Sequence, residues 1–422
     1  MISGRRDLLK SVGLIGFVGA APSGKTAEAA PTRRDFYVEL GVRPVLNFRG
    51  THTVIGASKE WPELHEAMAE AARQYVVLDE LQEKIGERLA KLIGSEDAMV
   101  TTGAAGAISL GTCASLTGSD TEKVQRLPDL TGMKNEVVIQ KVHRNGYDHA
   151  VRNAGVKIVE VEGKEQLLHA AGSQTAMMYY LGGTTGDYAW ETPVPLEECL
   201  DVARKVGFPV MVDAANMLPP WQNIQKLAAL GIDLICISGG KHMRGPQCSG
   251  ILAGRRDLIR AARLNSNPHS DSLGRPLKVG REEMIGVWLA AEKYAHLDFA
   301  ALERHSFEQA EYLSHELRQI PGFEVSYEPH DRTRRVHRVV VRWDEKATAL
   351  TADEVERQLM DGEPRIAVLR HDSGGLLFTV FMNDPGDERQ AARRMKEIFG
   401  QGLGRSVPQA LKPWRETSDR RA

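Results

Sequence analysis

Cysteine is scarce: four occur in 422 residues, Cys113, Cys199, Cys236 and Cys248. They show no metal-ligand spacing and all fall in apolar or helical patterns, which argues against a disulfide framework or a zinc site and predicts buried thiols. No apolar run approaches the ~20 residues that a membrane-spanning helix needs. Charge of one sign is not in excess either. Lysine plus arginine total 54 against 56 acids, a net charge of −2, and that balance speaks against a large basic footprint for nucleic acid. No His-Glu-x-x-His pattern surrounds His143 or His149, so the two are not read as a metal pair. Hydrophobic residues make up 42%, enough for a large core, and the length suits two or three domains of about 100–200 residues each.

What the chain does have is one stretch around which the rest is arranged: Asp233-Leu-Ile-Cys-Ile-Ser-Gly-Gly-Lys-His-Met-Arg-Gly-Pro-Gln-Cys-Ser-Gly-Ile-Leu252. Residues 234–237 predict a buried strand. Gly239 and Gly240 carry the chain round a tight turn, and Lys241 stands at its mouth before a second apolar run over 248–253. A lysine whose backbone is fixed while its amine needs a partner can form a Schiff base. Phe208-Pro-Val-Met-Val-Asp-Ala-Ala-Asn216 predicts a strand ending in the Asp213 carboxylate. A helix through Ile224, Leu227 and Leu230 would set that strand beside the Lys241 strand. A carboxylate at a strand's carboxyl end beside such a lysine is the arrangement pyridoxal phosphate requires, because the acid keeps the pyridine nitrogen protonated and makes the ring an electron sink.

With these residues in view the chain resembles a known family. Gly239-Gly-Lys-His-Met-Arg-Gly-Pro-Gln247 and Arg275-Pro-Leu-Lys-Val-Gly-Arg-Glu-Glu283 resemble the selenocysteine-synthase-like branch of fold-type I pyridoxal-phosphate enzymes, which includes sugar-acid ammonia-lyases. The resemblance implies an α/β fold, with a mostly parallel central sheet covered by helices on both faces and a smaller C-terminal α+β domain. Strand and helix patterns alternating from 81 to 254 agree with it.

The chain begins with what looks like an address. Paired Arg5 and Arg6, a weakly apolar segment over 12–21 and a small-residue site at Ala27-Glu-Ala29 resemble a twin-arginine export signal, with cleavage expected after Ala29. That route carries folded proteins, so it suits an enzyme that acquires its cofactor in the cytoplasm, and it implies the twin-arginine machinery as a partner and a periplasmic or secreted destination. Gly19-Ala-Ala-Pro-Ser-Gly-Lys-Thr26 matches a phosphate-loop pattern in the same segment. Pro31 follows too soon for the helix that such a loop must open, so nucleotide binding is not expected.

Further along, an arm over 36–58 carries Arg49, Thr51 and His52, which either meet substrate or pack on a neighbouring subunit. Leu81, Ile85, Leu89 and Leu92 predict a helix stopped by Gly94. Strand 98–102 then runs into Gly103, Ala104, Ala105 and Gly106, a helix start whose unpaired N–H groups favour an anion. By resemblance this turn holds the cofactor phosphate, helped by Ser238. Strands are predicted at 137–140, 157–161 and 176–180, with a ligand-gathering loop at 182–186. The resemblance implies His143, or less readily His149, over the cofactor ring. It also implies Lys278 and Gly280 as contacts to a neighbouring subunit's phosphate. Helical character runs from Trp288 through Leu297 and Leu302 to Leu313, Pro321-Gly322 marks a boundary, and strand 336–341, a helix begun by a capping box at Thr351 and Glu354, and strand 376–381 complete the smaller domain. Arg365 and Arg370, with His371 beside them, are candidates for the substrate carboxylate, because a guanidinium gives two parallel hydrogen bonds; a surface charge is the alternative for each. The expected division is 1–29 signal, 30–75 arm, 76–290 large domain, 291–320 connecting helix and 321–415 small domain.

The expected chemistry is that of a pyridoxal-phosphate-dependent lyase acting on an amino acid or amino sugar acid through an α-carbanion, by β-elimination or as an ammonia-lyase, with Lys241 and Asp213 as catalytic groups. Arg244 is a neighbouring cation expected to favour the free amine of Lys241. Transamination, racemisation and aldol cleavage use the same parts. Selenium transfer on charged tRNA is disfavoured, because little chain precedes residue 36 once the signal is removed and an exported protein would not meet that substrate. A non-catalytic binding module is the reading from another class, and the intact Asp213 and Lys241 speak against it. A homodimer or higher homo-oligomer is expected, with no nucleic acid and no membrane after signal cleavage.

Overall fold

The computed structural model describes residues 34–182, 192–328 and 336–401. The signal expected over 1–29, and the loop 182–186 beyond Gly182, lie outside the described residues. The chain divides at Pro44 and Val45 into two units. In the first, the short helix Phe36–Leu40 is capped by the Asp35 carboxylate, which accepts from the Tyr37 and Val38 amides, and it ends at Gly41 in the left-handed region.

The second unit begins with the two-residue strand β1 (Leu46–Asn47) and continues into the large sheet: β2 (Asp97–Thr102), β3 (Glu136–Gln140), β4 (Lys157–Val161), β5 (Thr175–Leu181), β6 (Val210–Asp213), β7 (Leu234–Ser238) and β8 (Ser249–Gly254). Their order is β2-β8-β7-β6-β5-β3-β4. Pairs from β7 through β4 are parallel, while β8 runs antiparallel to both β7 and β2. Parallel neighbours need a crossover, and helices such as Gln222–Ala229, between β6 and β7, supply it. The connection 239–248 is too short for one, so β8 folds straight back on β7. That tight return is the lysine turn.

Side chains alternate across the sheet as the strand period of two demands. Val138, Tyr180, Val212 and Ile235 enter one core with Leu89, Ile93 and Val287. Val137, Tyr179, Met211 and Leu234 enter the other with Leu110 and Ile259. The first face is covered by Leu78–Ile93, whose Ile85, Leu89 and Ile93 are buried and which stops at Gly94 with φ 87°. The second is covered by Gly103–Thr117, a helix so apolar that it is buried on most of its circumference.

The smaller domain is an antiparallel sheet of β9 (Glu324–Tyr327), β10 (Arg338–Arg342), β12 (Leu369–Arg370) and β13 (Leu376–Thr379), in the order β12-β13-β10-β9. A further short strand, β11 (Ile366–Ala367), pairs in parallel with β1. The capping box at Thr351 and Glu354 is present and opens helix Ala352–Asp361.

Three expectations are corrected. The helix expected without interruption from Trp288 to Leu313 is two, Arg281–Ala295 and Phe299–Arg318, because Asp298 caps a new start by accepting from the Ala301 amide at 2.9 Å. The second of these is no mere connector, since Ala310, Leu313 and Leu317 join Val339, Phe378 and Met395 in the small-domain core. The arm also contributes to that core, where Phe48 is fully buried. Among the cysteines, three are buried as expected and Cys248 is exposed, because it lies in the turn before β8 begins.

Candidate active site

Lys241 sits on a turn that only glycine can make. Gly239 donates to Ser249 O and accepts from Gly245 N, both at 2.9 Å, and Arg244 N closes on Lys241 O at 3.0 Å. A Cβ on Gly239 would stand 2.3 Å from Ser249 Oγ, and one on Gly240 would stand 2.5 Å from Gln247 Cα. Side chains at these positions would force the β7–β8 return apart.

Asp213 ends β6, paired in register with Cys236 on β7 and Leu181 on β5. Its carboxylate is buried, accepting from Ala215 N at 3.0 Å and from the Tyr179 hydroxyl at 2.9 Å. Burial pushes its pKa up, while the Ala215 amide, the Lys241 ammonium and the Tyr179 hydroxyl all work against that rise. Asp213 and Lys241 therefore feel one another across the ends of adjacent strands. Burial also holds the Tyr179 phenol well above its usual range, so it remains a donor. Tyr179 was not singled out from sequence; its place in the alternating Ala176-Met-Met-Tyr-Tyr180 run, two residues before the strand end, was the available signal.

The Gly103–Thr117 helix has no side-chain cap at its amino end. Thr101 Oγ1 bonds Gly103 O at 2.9 Å instead, and Thr102 Oγ1 is buried without a hydrogen-bond partner among the described residues. Gly103 has φ +64°, Ala104 is half-buried and Ala105 exposed. An open helix end beside an orphaned hydroxyl is suited to a phosphate. Gly250 on β8, also missed from sequence, makes the arrangement possible. A Cβ there would come within 2.3 Å of the Gly103 carbonyl carbon, so glycine is what lets the helix end rest on the lysine-bearing hairpin. These features fit the cofactor implied by the resemblance: an acid for its ring nitrogen, an amine for its aldehyde and a cradle for its phosphate.

His143, just past β3, is buried with its ring edge-on to Tyr180 at 4.4 Å. The Leu181 amide donates to its Nδ1 at 3.4 Å, and Leu181 pairs with Asp213. Burial lowers its pKa to about 4, so the imidazole is neutral at physiological pH. The unfolded chain then binds a proton that the folded one refuses between about 6.5 and 4, and stability is lost as pH falls through that window. His143→Gln is expected to remove up to about 3 kcal/mol of this acid sensitivity, read as a flatter dependence of denaturation midpoint on pH. An unchanged slope would contradict the assignment. His149 is exposed.

Ser238 ends β7 and is half-buried. Of the arginines, Arg49 follows Phe48, whose carbonyl accepts from Thr379 N at 2.8 Å, and the arm then continues to the lysine turn, where Gln247 Nε2 reaches Thr53 O at 3.3 Å. Arg365 immediately precedes β11, its carbonyl accepting from Leu46 N of β1 at 2.8 Å, and its Nε is buried without a partner among the described residues. Arg370 is exposed and engaged by Asp353 and Glu356 of helix Ala352–Asp361. A guanidinium held by two carboxylates is a poor receptor for a third, so the structure corrects Arg370 to a surface ion pair. Gly280 caps the helix Arg281–Ala295, and its nearest side chains are the Glu283 and Glu282 carboxylates; these give no support to a phosphate contact within one chain. Arg244 is turned away to Trp61, and burial lowers its pKa.

Comparisons with known proteins agree with this geometry. Residues 191–359 match the model of the aminotransferase class-V family. The 5'-C-glycyluridine monooxygenase-decarboxylase of a Streptomyces species is 30% identical over 86% of this chain and 92% of its own. The D-glucosaminate-6-phosphate ammonia lyase of Salmonella typhimurium is likewise 30% identical, over 86% of this chain and 98% of its own. A solved structure of D-glucosaminate-6-phosphate ammonia-lyase superposes with a TM-score of 0.76 at 28% identity, covering 88% of this chain and 100% of that one. The chain belongs to the D-glucosaminate-6-phosphate ammonia-lyase and selenocysteine-synthase-like branch of the fold-type I pyridoxal-phosphate-dependent enzymes, and its cofactor is pyridoxal 5'-phosphate.

Proposed function

We propose that this enzyme is a lyase that takes the α-proton from an amino acid or amino sugar acid and expels a β-substituent, releasing ammonia and a keto acid. The observation that carries this reading is the buried Asp213 carboxylate, hydrogen-bonded on both oxygens at the end of the strand that pairs with the one leading into Lys241. When bound, pyridoxal phosphate supplies an aldehyde carbon for the amines and a ring that accepts the electron pair left at the substrate's α-carbon. Asp213 holds a proton at the ring nitrogen, with Tyr179 and Ala215 fixing the carboxylate. Lys241, once its amine is free, removes the α-proton and returns it to the departing β-hydroxyl, which leaves as water. Water then adds back as the resulting enamine hydrolyses to keto acid and ammonia, so the net change is loss of ammonia. The Gly103, Ala104 and Ala105 amides and the Ser238 hydroxyl hold the phosphate, neutral His143 covers the ring, and Arg49 or Arg365 receives the substrate carboxylate.

The test is a screen of amino acids and amino sugar acids for coupled release of ammonia and keto acid. A second reading follows the Streptomyces relative, a monooxygenase-decarboxylase of equal identity. Consumption of dioxygen with release of carbon dioxide, and no ammonia before them, would favour it.

The proposal extends to assembly and address. The paired Arg5 and Arg6 and the Ala27-Glu-Ala29 site support twin-arginine export and a periplasmic or secreted enzyme. Tyr75, Val76 and Val77 are consecutive, apolar and 99%, 46% and 66% exposed, which supports a homodimer that covers them. Lys278 and Gly280 are then candidates to reach the partner's phosphate site. The partners are a small amino substrate and a second copy, with no nucleic acid.

A further inference from the structure

The lysine turn is gripped from outside by residues 58–61, to which the chemistry above gives no role. Ser58 Oγ donates to Gly240 O at 2.7 Å. Trp61 Nε1 donates to Met243 O at 2.9 Å and Trp61 N to Arg244 O at 3.1 Å. Arg244 Nε reaches back to Lys59 O at 2.7 Å. The residue just before Lys241 and two shortly after it are thus tied to one external segment. The Trp61 ring is itself fixed, with Arg244 Cζ 4.0 Å and Lys293 Nζ 4.3 Å from its centroid and Lys293 ion-paired to Glu63. Arg244 is held at φ +58°, a conformation that costs a residue with a Cβ and persists where its surroundings impose it. Lys59 is in turn paired with Asp384 of the smaller domain.

We propose that Ser58 and Trp61 are positioning residues for the Lys241 amine; this rests on Lys241 being the reacting amine. Two adjacent glycines leave the amino side of the turn with little stiffness of its own, and the amine rides on a flexible four-carbon stem. In each turnover that amine must leave and return to the same atom, and a displacement of about 1 Å can cost about 10²-fold in rate. An external clamp on both sides of Lys241 supplies the stiffness that the paired glycines remove.

The test uses holoenzyme carrying Trp61→Phe, which keeps a ring and loses the Nε1–H, Ser58→Ala, the double variant, and Ser58→Thr, which restores a hydroxyl. Each single variant is expected to lower kcat about tenfold and the double about 10²-fold, with KM changed less than about threefold and cofactor content retained. The pH titration of the visible band of Lys241-bound cofactor should shift in the same variants and return with Ser58→Thr. A general structural role would lower the melting temperature without moving that titration. Should Trp61→Phe unfold, Ser58→Ala gives the same readout alone. Wild-type kcat and an unmoved titration in folded Ser58→Ala and Trp61→Phe, or losses confined to KM, would overturn the proposal. Failure of the underlying assignment looks different: wild-type protein would then show no band attached to Lys241.

Discussion

Lys241→Ala is expected to abolish the visible absorbance of the purified protein and to lower turnover by at least ~10³-fold. The size of the effect comes from the two tasks given to one amine, covalent attachment of the cofactor and proton transfer at the substrate's α-carbon. Losing either alone is a large loss. The substitution leaves the backbone of the turn intact, because the turn is shaped by Gly239, Gly240 and backbone bonds at Ser249 and Gly245, none of which uses the lysine side chain. The turn should therefore keep its shape, while the apoprotein loses the ammonium that offsets the buried Asp213 charge and should melt lower at neutral pH. Borohydride reduction of wild-type holoprotein followed by peptide mapping should label the Lys241 peptide. A label on another lysine, or full turnover in folded Lys241→Ala, would remove the chemistry while leaving the fold as it stands.

The parts of this site that were legible in the sequence are those where backbone and chemistry coincide. Asp213 and Lys241 stand at the ends of short apolar runs, and a run of that kind fixes a strand, its end and its face together. Paired glycines announced the turn because Gly240 is needed against Gln247. The parallel pairing of β6 with β7 followed from the helix between them. Contacts formed by packing distant segments left no such mark. Tyr179 reads as one more apolar strand residue, and nothing local says that its hydroxyl meets Asp213. Gly250 looks like any glycine near a strand start until the Gly103 backbone is seen against it. Arg370 matched the composition of a carboxylate site, yet Asp353 and Glu356 on a helix 14–17 positions earlier claimed it. The break at Asp298 was in principle readable, since an N-cap residue stood in the middle of the periodicity.

Asp213→Asn is expected to keep part of the cofactor and to lower turnover by about 10²–10³-fold, since the carboxamide is nearly isosteric but carries no charge to hold a proton on the ring nitrogen. The same variant has an opposite effect on the apoprotein. Burial raises the Asp213 pKa, so the folded state keeps a proton that the unfolded chain releases, and the contribution to stability is lost as pH rises from the ordinary carboxylate value through the raised one. Above that window wild-type apoprotein must hold a desolvated charge, offset only in part by Ala215, Lys241 and Tyr179. Asparagine does not. Apo Asp213→Asn should therefore melt at or above wild type at neutral pH, with the difference shrinking under acid, while loading with cofactor narrows the gap because the ring N–H brings a cation to the carboxylate. Catalytic loss with no loss of stability is the pattern expected of a charge held in place for chemistry. Unchanged turnover would count against the acid's assigned role, and a marked drop in apoprotein melting temperature would show that Asp213 is there to hold β5 and β6 together through Tyr179.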